Sequence, residues 1–312
     1  MVYHRFFWMI AGFGMTAALF GSGLVSSAAD PPAKPRGTID NGPRPAEAAV
    51  LSEKTVVYPD RAYGTDPKQR LDIYAPRGAA GAPVVVFFHR GEWTQGDKSE
   101  VSYKPRFLND NGIVFVSANY RLTPAVTHPA HIKDVATAVR WVHDHAAEFG
   151  GSPKRTVVTG HSAGCHLVTL LALDPRYLAD VGLRPSDLRG VVAWSGGAYD
   201  LVEKVKAGGT YAPYIRKAFG DSAAAWRDAS PVAHVGDARP LPPFLFVSVE
   251  RGNPSHQASE RLASLIRDAK GQADSCLIES RTHFTANHLL GAPEDKTGLV
   301  LLEFVRKVTR GG

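Results

Sequence analysis

One segment restricts the fold more than any other part of the chain. The apolar run Thr156–Thr159 enters the turn Gly160-His161-Ser162-Ala163-Gly164, and an apolar helical pattern follows over Ala163–Leu173. A strand can turn this sharply into a helix only where crowding is relieved, and glycines at 160 and 164 relieve it because they lack a Cβ. The segment therefore predicts a strand–turn–helix unit in which Ser162 stands exposed at the turn.

Short apolar runs alternate with longer amphipathic ones along most of the chain. The predicted strands are Thr55–Tyr58, Arg70–Tyr74, Pro83–Phe88, Ile113–Ala118, Thr156–Thr159, Gly190–Trp194, Pro243–Val249 and Cys276–Glu279. The predicted helices are Lys104–Asn109, Ala130–Glu148, Ala163–Leu173, Ser255–Ala269 and Gly298–Val308. Because strands such as Val84–Phe88 are apolar on both faces, the pattern predicts an α/β fold: an eight-stranded, mostly parallel sheet with helices on both faces.

The N-terminus has the pattern of a secretory signal. Arg5 precedes an apolar stretch from Phe6 to Val25, and small residues follow up to Ala29. This arrangement predicts a signal peptide over residues 1–29 and a secreted or periplasmic protein. The alternative is a membrane anchor that is retained, since the apolar stretch is nearly long enough to span a bilayer. With the signal cleaved, no stable membrane span is expected.

The remaining chain is expected to form one domain. Residues 30–50 are rich in proline and are predicted to be an exposed leader. Residues 51–312 then make a single domain, within which the segments 174–188 and 199–239 are long and irregular. These two segments are predicted to cover a site as lids, and no helical or strand periodicity is evident in either.

The composition excludes disordered and fibrous classes, and the charge does not point to nucleic acid. The 312 residues are 44% hydrophobic and 21% charged, as in ordinary globular proteins. The formal net charge of +6 is spread along the chain, without a basic block or a nucleic-acid-binding motif. A solvated surface is the simpler interpretation, and a small molecule is the expected partner.

The two cysteines and the paired histidines offer little chemistry of their own. Cys165 and Cys276 either form a disulfide or remain free, and the apolar segments around them favour free, buried thiols. His143 and His145 flank Asp144 on a predicted helix, where successive residues point in different directions and do not share a metal. No metal or organic cofactor is expected.

Ser162 is the candidate nucleophile. A serine hydroxyl is a weak nucleophile, so it requires a base and donors for the developing oxyanion. The donors are expected at the backbone N–H groups of Ala163 and of the loop His89-Arg90-Gly91-Glu92-Trp93, which follows the third strand. Gly91 suits this role, whereas Arg90 donates only if the backbone there tolerates a side chain.

The base is expected after the last strand. In hydrolases with this strand–serine–helix turn, the chain order is serine, acid, histidine. His283 lies in the loop that follows the predicted strand Cys276–Glu279, and His288 follows five residues later in a helical context. The position favours His283 as the general base. A histidine with an ordinary pKa would give activity that rises between about pH 6 and 8.

Several runs together resemble a known group of enzymes. They are Asn119-Tyr120-Arg121-Leu122-Thr123-Pro124, His128–Val135, Trp141-Val142 and Gly160–Gly164. Between about residues 54 and 308 the chain resembles the esterase/lipase (carboxylesterase) branch of the α/β-hydrolase superfamily, and it is similar to feruloyl-esterase-like and kynurenine-formamidase-like hydrolases with an HGGxW-like oxyanion loop. The resemblance implies a Ser-acid-His triad and hydrolysis of small carboxylic esters through an acyl-enzyme.

The acid of the triad has two candidates. Members of this group usually carry Asp just beyond the seventh strand, where this chain has Glu250 as the nearest carboxylate. Glu can replace Asp because its task is to hold the imidazole tautomer and stabilise the imidazolium. Asp200, after the sixth strand, is the alternative.

Three functions remain open on the sequence alone. The first is an exported serine esterase, in which Trp93 either lines the substrate pocket or packs in the core. The second is an amidase or formamidase with the same triad. The third is a hydrolase fold that binds a ligand without catalysis, suggested by Arg90 in the oxyanion loop and by the missing Asp. The natural substrate and the oligomeric state are not determined by the sequence.

Overall fold

The computed structural model describes residues 49–249 and 254–310. The predicted signal peptide, almost all of the proline-rich leader and Glu250 lie outside the described residues. The predictions for these parts of the chain therefore stay predictions.

Eight strands of the described residues form a single sheet. They are β1 (Thr55–Ala62), β2 (Arg70–Pro76), β3 (Ala82–Phe88), β4 (Val114–Ala118), β5 (Gly151–His161), β6 (Gly190–Trp194), β7 (Phe244–Val249) and β8 (Ala273–Ile278). Their order across the sheet is β1-β2-β4-β3-β5-β6-β7-β8. Only β2 runs against its neighbours, β1 and β4, and the other pairs are parallel. The predicted eight-stranded, mostly parallel sheet is confirmed.

Ten α-helices connect or cover these strands in the described part of the chain. They are α1 (Lys104–Asp110), α2 (Ala130–His145), α3 (Ala163–Leu173), α4 (Pro175–Ala179), α5 (Leu201–Ala207), α6 (Ala212–Phe219), α7 (Ala223–Asp228), α8 (Pro254–Asp268), α9 (Thr285–His288) and α10 (Lys296–Thr309). Short 3₁₀ helices lie at Ala146–Phe149, Pro185–Asp187 and Pro231–His234. All five predicted helices are present, and α3 has the predicted bounds.

The sheet separates two hydrophobic cores. Along β3, Val84, Val86 and Phe88 belong to the core that also contains residues of α2, α3 and α8. Val85 and Phe87 belong to the other core, with residues of α1 and α10. Because successive side chains of a strand point to opposite faces, an all-apolar strand requires both faces to be covered. Helices on both faces, as predicted, meet this requirement.

The two segments predicted to be irregular contain helices, so that prediction was wrong. Residues 174–188 hold α4, and residues 199–239 hold α5, α6 and α7. These helices have only five to eight residues, shorter than the window of about 11 residues in which periodicity is judged, although α6 buries Ala212, Ile215 and Phe219 at helical spacing. Side-chain caps begin three of them: Asp174 accepts from the N–H of Arg176, Asp200 from Glu203 and Ser222 from Ala225.

Both cysteines are free, as the apolar context favoured. Cys165 is buried in α3, and its Sγ lies 3.0 Å from the hydroxyl of Tyr199. Among residues 49–249 and 254–310, no helix combines the length and the apolar character needed to cross a bilayer.

Candidate active site

The candidate residues gather where three neighbouring parallel strands end. Phe88 of β3 pairs with Gly160 of β5, and His161 at the end of β5 pairs with Trp194 at the end of β6. The residues that follow these strands are therefore neighbours at one edge of the sheet. This edge is where open α/β sheets bind their ligands.

Ser162 stands at the sharp turn that the sequence predicted. Its backbone has φ 55° and ψ −111°, a strained conformation for a residue with a side chain, and its side chain is partly exposed. A Cβ on Gly160 would collide with the backbone of Gly164, and one on Gly164 would collide with the carbonyl of Phe88. The two glycines therefore let β5, β3 and α3 come close enough to form the turn.

His283 is anchored beside this turn by two contacts. Its carbonyl accepts a hydrogen bond of 2.9 Å from Nε2 of His161, and the two imidazole rings lie 4.5 Å apart. Its own Nδ1 lies 2.8 Å from Oγ of Ser195, the residue after β6. Since Ser162 follows His161 directly, His283 lies over the strand ends that carry the candidate nucleophile. His288, by contrast, lies in α9 with its ring 3.7 Å from that of Phe284.

The surroundings keep His283 neutral. Burial, with a smaller contribution from the nearby Arg90 guanidinium, lowers the pKa of His283 from 6.5 to about 4, and hydrogen bonding at Ser195 opposes this shift. Burial likewise lowers the pKa of His161 well below 6.5. A neutral imidazole is the form that can accept a proton. The expected rise of activity between pH 6 and 8 therefore moves to lower pH.

The predicted oxyanion loop follows β3. Gly91 has φ 117°, and a Cβ there would collide with the carbonyl of Gln95, so only glycine fits. The Gly91 N–H finds no acceptor among the described residues. Ala163, as the first residue of α3, has an N–H outside the hydrogen bonds of the helix. The N–H groups of Gly91 and Ala163 are therefore both available as donors.

Arg90 has an ordinary backbone conformation, so its side chain causes no strain at this position. Its Nε lies 3.3 Å from Oε2 of Glu100, and both side chains are only 20% exposed. The guanidinium also lies 5.7 Å from the ring centroid of Phe284, next to His283 in sequence. Arg90 therefore brings a positive charge to the loop that faces His283.

The structure places Trp93 in a packed aromatic group. Its side chain is 3% exposed, and its ring meets His166 and Phe219 edge-on at centroid distances of 5.3 and 4.8 Å. This position agrees with the core-packing alternative. Contact with a substrate stays a prediction.

The described residues do not bring a carboxylate to His283. Asp200 caps α5 through the N–H of Glu203, 2.9 Å away. Glu250 lies outside the described residues. The partner of Nδ1 is instead Ser195, which sequence reasoning missed, although its position in the run Ser195-Gly196-Gly197 directly after β6 was a usable signal.

Three further residues, from the runs that resemble the esterase/lipase branch, hold the loops around the site. Arg121 forms a bidentate ion pair with Asp134, in which Nε and Nη2 donate to the two carboxylate oxygens at 2.8 and 2.7 Å. The side-chain amide of Asn119 donates to Asp97 at 3.0 Å.

Across residues 49–249 and 254–310, no group of three or more His, Cys, Asp or Glu side chains could hold a metal ion.

Comparison with protein-family models identifies the family of the chain. The BD-FAE family model matches residues 71–253, which is more than half of the 312 residues. The chain belongs to the BD-FAE family. The matched range contains Ser162, the oxyanion loop and Glu250, while His283 lies beyond it.

Two relatives of the chain are named esterases. The chain is 32% identical over 227 residues to esterase LipQ of Mycobacterium tuberculosis, covering 67% of this chain and 52% of the relative. It is 30% identical over 245 residues to esterase LipC of the same organism, covering 73% and 60%. The chain thus spans about half to three fifths of the length of these relatives.

Solved structures share the fold. Esterase B from Lactobacillus rhamnosis superposes with a TM-score of 0.72 at 22% identity, covering 84% of this chain and 90% of that one. A bacterial heroin esterase gives a TM-score of 0.68 at 21% identity, with coverage of 84% and 87%. The predicted α/β-hydrolase fold is confirmed.

Proposed function

We propose that this protein is a serine esterase that hydrolyses small carboxylic esters through an acyl-enzyme. One observation carries the proposal: His283 is anchored at the ends of β5 and β6, beside the strained turn that presents Ser162. The names of the relatives, all ester hydrolases, support the choice of substrate class.

In the proposed reaction, Oγ of Ser162 attacks the ester carbonyl carbon while its proton passes to Nε2 of His283. The N–H groups of Ala163 and Gly91 stabilise the negative oxygen that forms, with the Arg90 N–H as a further candidate. The imidazolium then gives its proton to the departing alcohol, which leaves an acyl group on Ser162. Water, deprotonated by Nε2, attacks the acyl carbon. The bond from this carbon to Oγ of Ser162 then breaks, Oγ takes the proton back from the imidazolium, and the carboxylic acid departs.

Glu250 is the proposed acid of the triad. Its negative charge would stabilise the imidazolium that forms during both proton transfers. Asp200 is less suited to this role, because its carboxylate is engaged in capping α5. Comparison of Glu250→Gln with Asp200→Asn tests the assignment: the first is expected to lose much of kcat and the second little.

The proposed function is tested with short p-nitrophenyl esters. Ser162→Ala and His283→Ala are each expected to lower kcat by at least about a thousandfold. Ser117→Ala is a matched control, since Ser117 is a fully buried serine of β4 whose hydroxyl has no partner among the described residues. Wild-type turnover by Ser162→Ala would overturn the proposal.

A matched ester and amide separates the esterase from an amidase or formamidase. We expect the ester to be hydrolysed faster by a wide margin. An ester panel that varies the acyl and alcohol groups would then define the substrate. Preference for the aryl formamide would replace the esterase by the alternative enzyme.

We also propose that the protein is exported, on the sequence pattern of residues 1–29. Cell fractionation and the mass of the mature N-terminus test this. Recovery of an uncleaved chain in the membrane fraction would favour the anchor.

A further inference from the structure

Ser195 makes the one side-chain contact that reaches a ring nitrogen of His283 within the described residues. Its Oγ lies 2.8 Å from Nδ1, a good hydrogen-bond distance. Ser195 is only 2% exposed, so water competes little for this bond. The contact joins residues 88 positions apart in sequence and links the loop after β8 to the end of β6.

The backbone around Ser195 is fixed by contacts that do not involve His283. Ser195 has φ 48°, in the left-handed region, and its N–H donates to the carbonyl of Val247 at 2.7 Å. A Cβ on the next residue, Gly196, would collide with Sγ of Cys165 in α3. Strained backbone held by its neighbours is typical of functional sites. The hydroxyl of Ser195 is therefore presented in a defined place.

The chemistry of imidazole decides which tautomer this contact favours. A neutral imidazole carries one proton, so Nε2 can accept the Ser162 proton only if Nδ1 holds that proton. The hydroxyl of Ser195 can accept a hydrogen bond from Nδ1–H.

A second contact, with His161, fixes the main chain of His283. Nε2 of His161 must be the donor in its hydrogen bond to the His283 carbonyl, because a carbonyl has no proton to give. The main chain of His283 is thus fixed by β5 and its ring by the end of β6. Rotation of the ring about χ2 would break the Ser195 contact.

We propose that Ser195 is a positioning residue for His283. Its hydroxyl accepts the Nδ1–H hydrogen bond, holds the ring in place and keeps Nε2 free for the Ser162 proton. The inference rests on the proposed function, in which His283 is the base. Glu250 would supply negative charge to the imidazolium, whereas Ser195 fixes the tautomer and orientation of the neutral ring.

The test removes the hydroxyl in two ways. Ser195→Ala keeps the Cβ, and Ser195→Gly also relieves the left-handed backbone, so at least one variant is expected to fold as the wild type does. Both should lower kcat for a p-nitrophenyl ester by at least about tenfold and leave KM within about twofold, because ground-state binding is untouched. Ser117→Ala is the matched control, with kcat unchanged.

A second readout reports the tautomer directly. In ¹⁵N-histidine-labelled protein, the His283 signals, assigned by their loss in His283→Ala, should show Nδ1–H in the wild type. In Ser195→Ala the proportion of Nε2–H should rise, a change that a merely structural role would not produce. Wild-type kcat in both Ser195 variants, or an unchanged tautomer, would overturn the inference.

The outcomes separate this inference from the proposed function. If Ser162→Ala and His283→Ala are inactive while Ser195→Ala and Ser195→Gly keep wild-type kcat, only the role of Ser195 fails. If Ser162→Ala retains activity, the proposed function itself fails. A loss in Ser195→Gly without a loss in Ser195→Ala would assign the effect to the backbone and also overturn the inference.

Discussion

Two groups of neighbouring histidines lie among the described residues, and one of them stands beside the candidate nucleophile. The first, the strand-end pair, consists of His161 and His283. The second, the histidine cluster, consists of His128, His131 and His166, whose rings lie 5.4, 6.3 and 5.4 Å from that of Phe219. Burial lowers the pKa of histidines in both groups.

The partners of the rings distinguish the two groups. In the histidine cluster, Nε2 of His166 donates to the carbonyl of Ala229 at 2.8 Å, and Nε2 of His131 lies 3.1 Å from the hydroxyl of Thr123. Nε2 of His128 lies 3.3 Å from the carboxylate of Asp228. The contacts of His166 and His128 fasten the segment 199–239 to the core. In the strand-end pair, the contacts hold His283 beside a strained serine.

The comparison teaches that a lowered histidine pKa marks burial rather than catalysis. Perturbed pKa values are a useful guide to active sites, but packed structural groups show them as well. The pKa of His166 falls to about 3 and that of His283 to about 4, so a histidine of the packed cluster shows a shift comparable to that of the candidate base. The nearby candidate nucleophile Ser162, not the size of the shift, makes His283 the proposed base.

The largest contrast is expected in turnover. His283→Ala should lower kcat by at least about a thousandfold, because no other base can take the Ser162 proton. His166→Gln keeps a donor for the Ala229 carbonyl and should leave kcat within about fivefold. Steady-state kinetics on one p-nitrophenyl ester measure both. Equal losses in the two variants would break the comparison.

The next contrast is in stability. Phe219 is 4% exposed and touches Trp93 as well as the histidine cluster. Phe219→Ala should lower the free energy of unfolding by about 3 to 5 kcal/mol through the cavity it leaves. Phe219→Leu should lose less, as it fills more of the space. Urea denaturation followed by tryptophan fluorescence measures this, and an Ala variant as stable as the wild type would contradict the packing role.

Acid should destabilise the histidine cluster. Burial lowers the folded-state pKa of His131 from 6.5 to about 4. The unfolded chain therefore binds more protons than the folded chain between these values. The stability contributed by neutral His131 is complete above about pH 6.5 and is lost as the pH falls toward 4, by up to about 3 kcal/mol. His131→Gln should flatten the fall of unfolding free energy over this window, and an unchanged slope would contradict the assignment.

The smallest effect concerns the acid limb of the activity profile. With the pKa of His283 at about 4, kcat/KM should stay level above about pH 5 and fall as His283 is protonated below that. Arg90→Gln removes a positive charge that lowers this pKa, so the fall should begin at higher pH. Arg90→Lys keeps the charge and is the matched control. Circular dichroism at each pH separates protonation from unfolding.

The sequence predicted the fold well where glycines and long apolar runs mark the elements. The bounds of α3 are as predicted, because Gly160 and Gly164 fix where the strand ends and the helix begins. The four helices α4 to α7 were missed because each is shorter than the window of about 11 residues in which periodicity is judged, although the spacing of Ala212, Ile215 and Phe219 in α6 was a signal. The pair Asp174-Pro175, a cap followed by proline, was a local signal that one of them begins there.

The site was predictable in its local motifs and not in its long-range contacts. Ser162 and the oxyanion loop lie within short runs whose spacing carries their chemistry. The contact of Ser195 with His283 joins the ends of β6 and β8, and no pattern within either segment requires it. The same holds for the pKa of His283, which depends on burial and on Arg90, and which moved the expected pH profile downward.

The most direct test of the central claim is whether Ser162 is an activated nucleophile. The protein is treated with an alkyl fluorophosphonate, and intact-mass spectrometry with peptide mapping locates the adduct. We expect one adduct per chain, on Ser162, with none on Ser162→Ala and much slower labelling of His283→Ala. An unlabelled wild type, or equal labelling of Ser162→Ala, would contradict the claim.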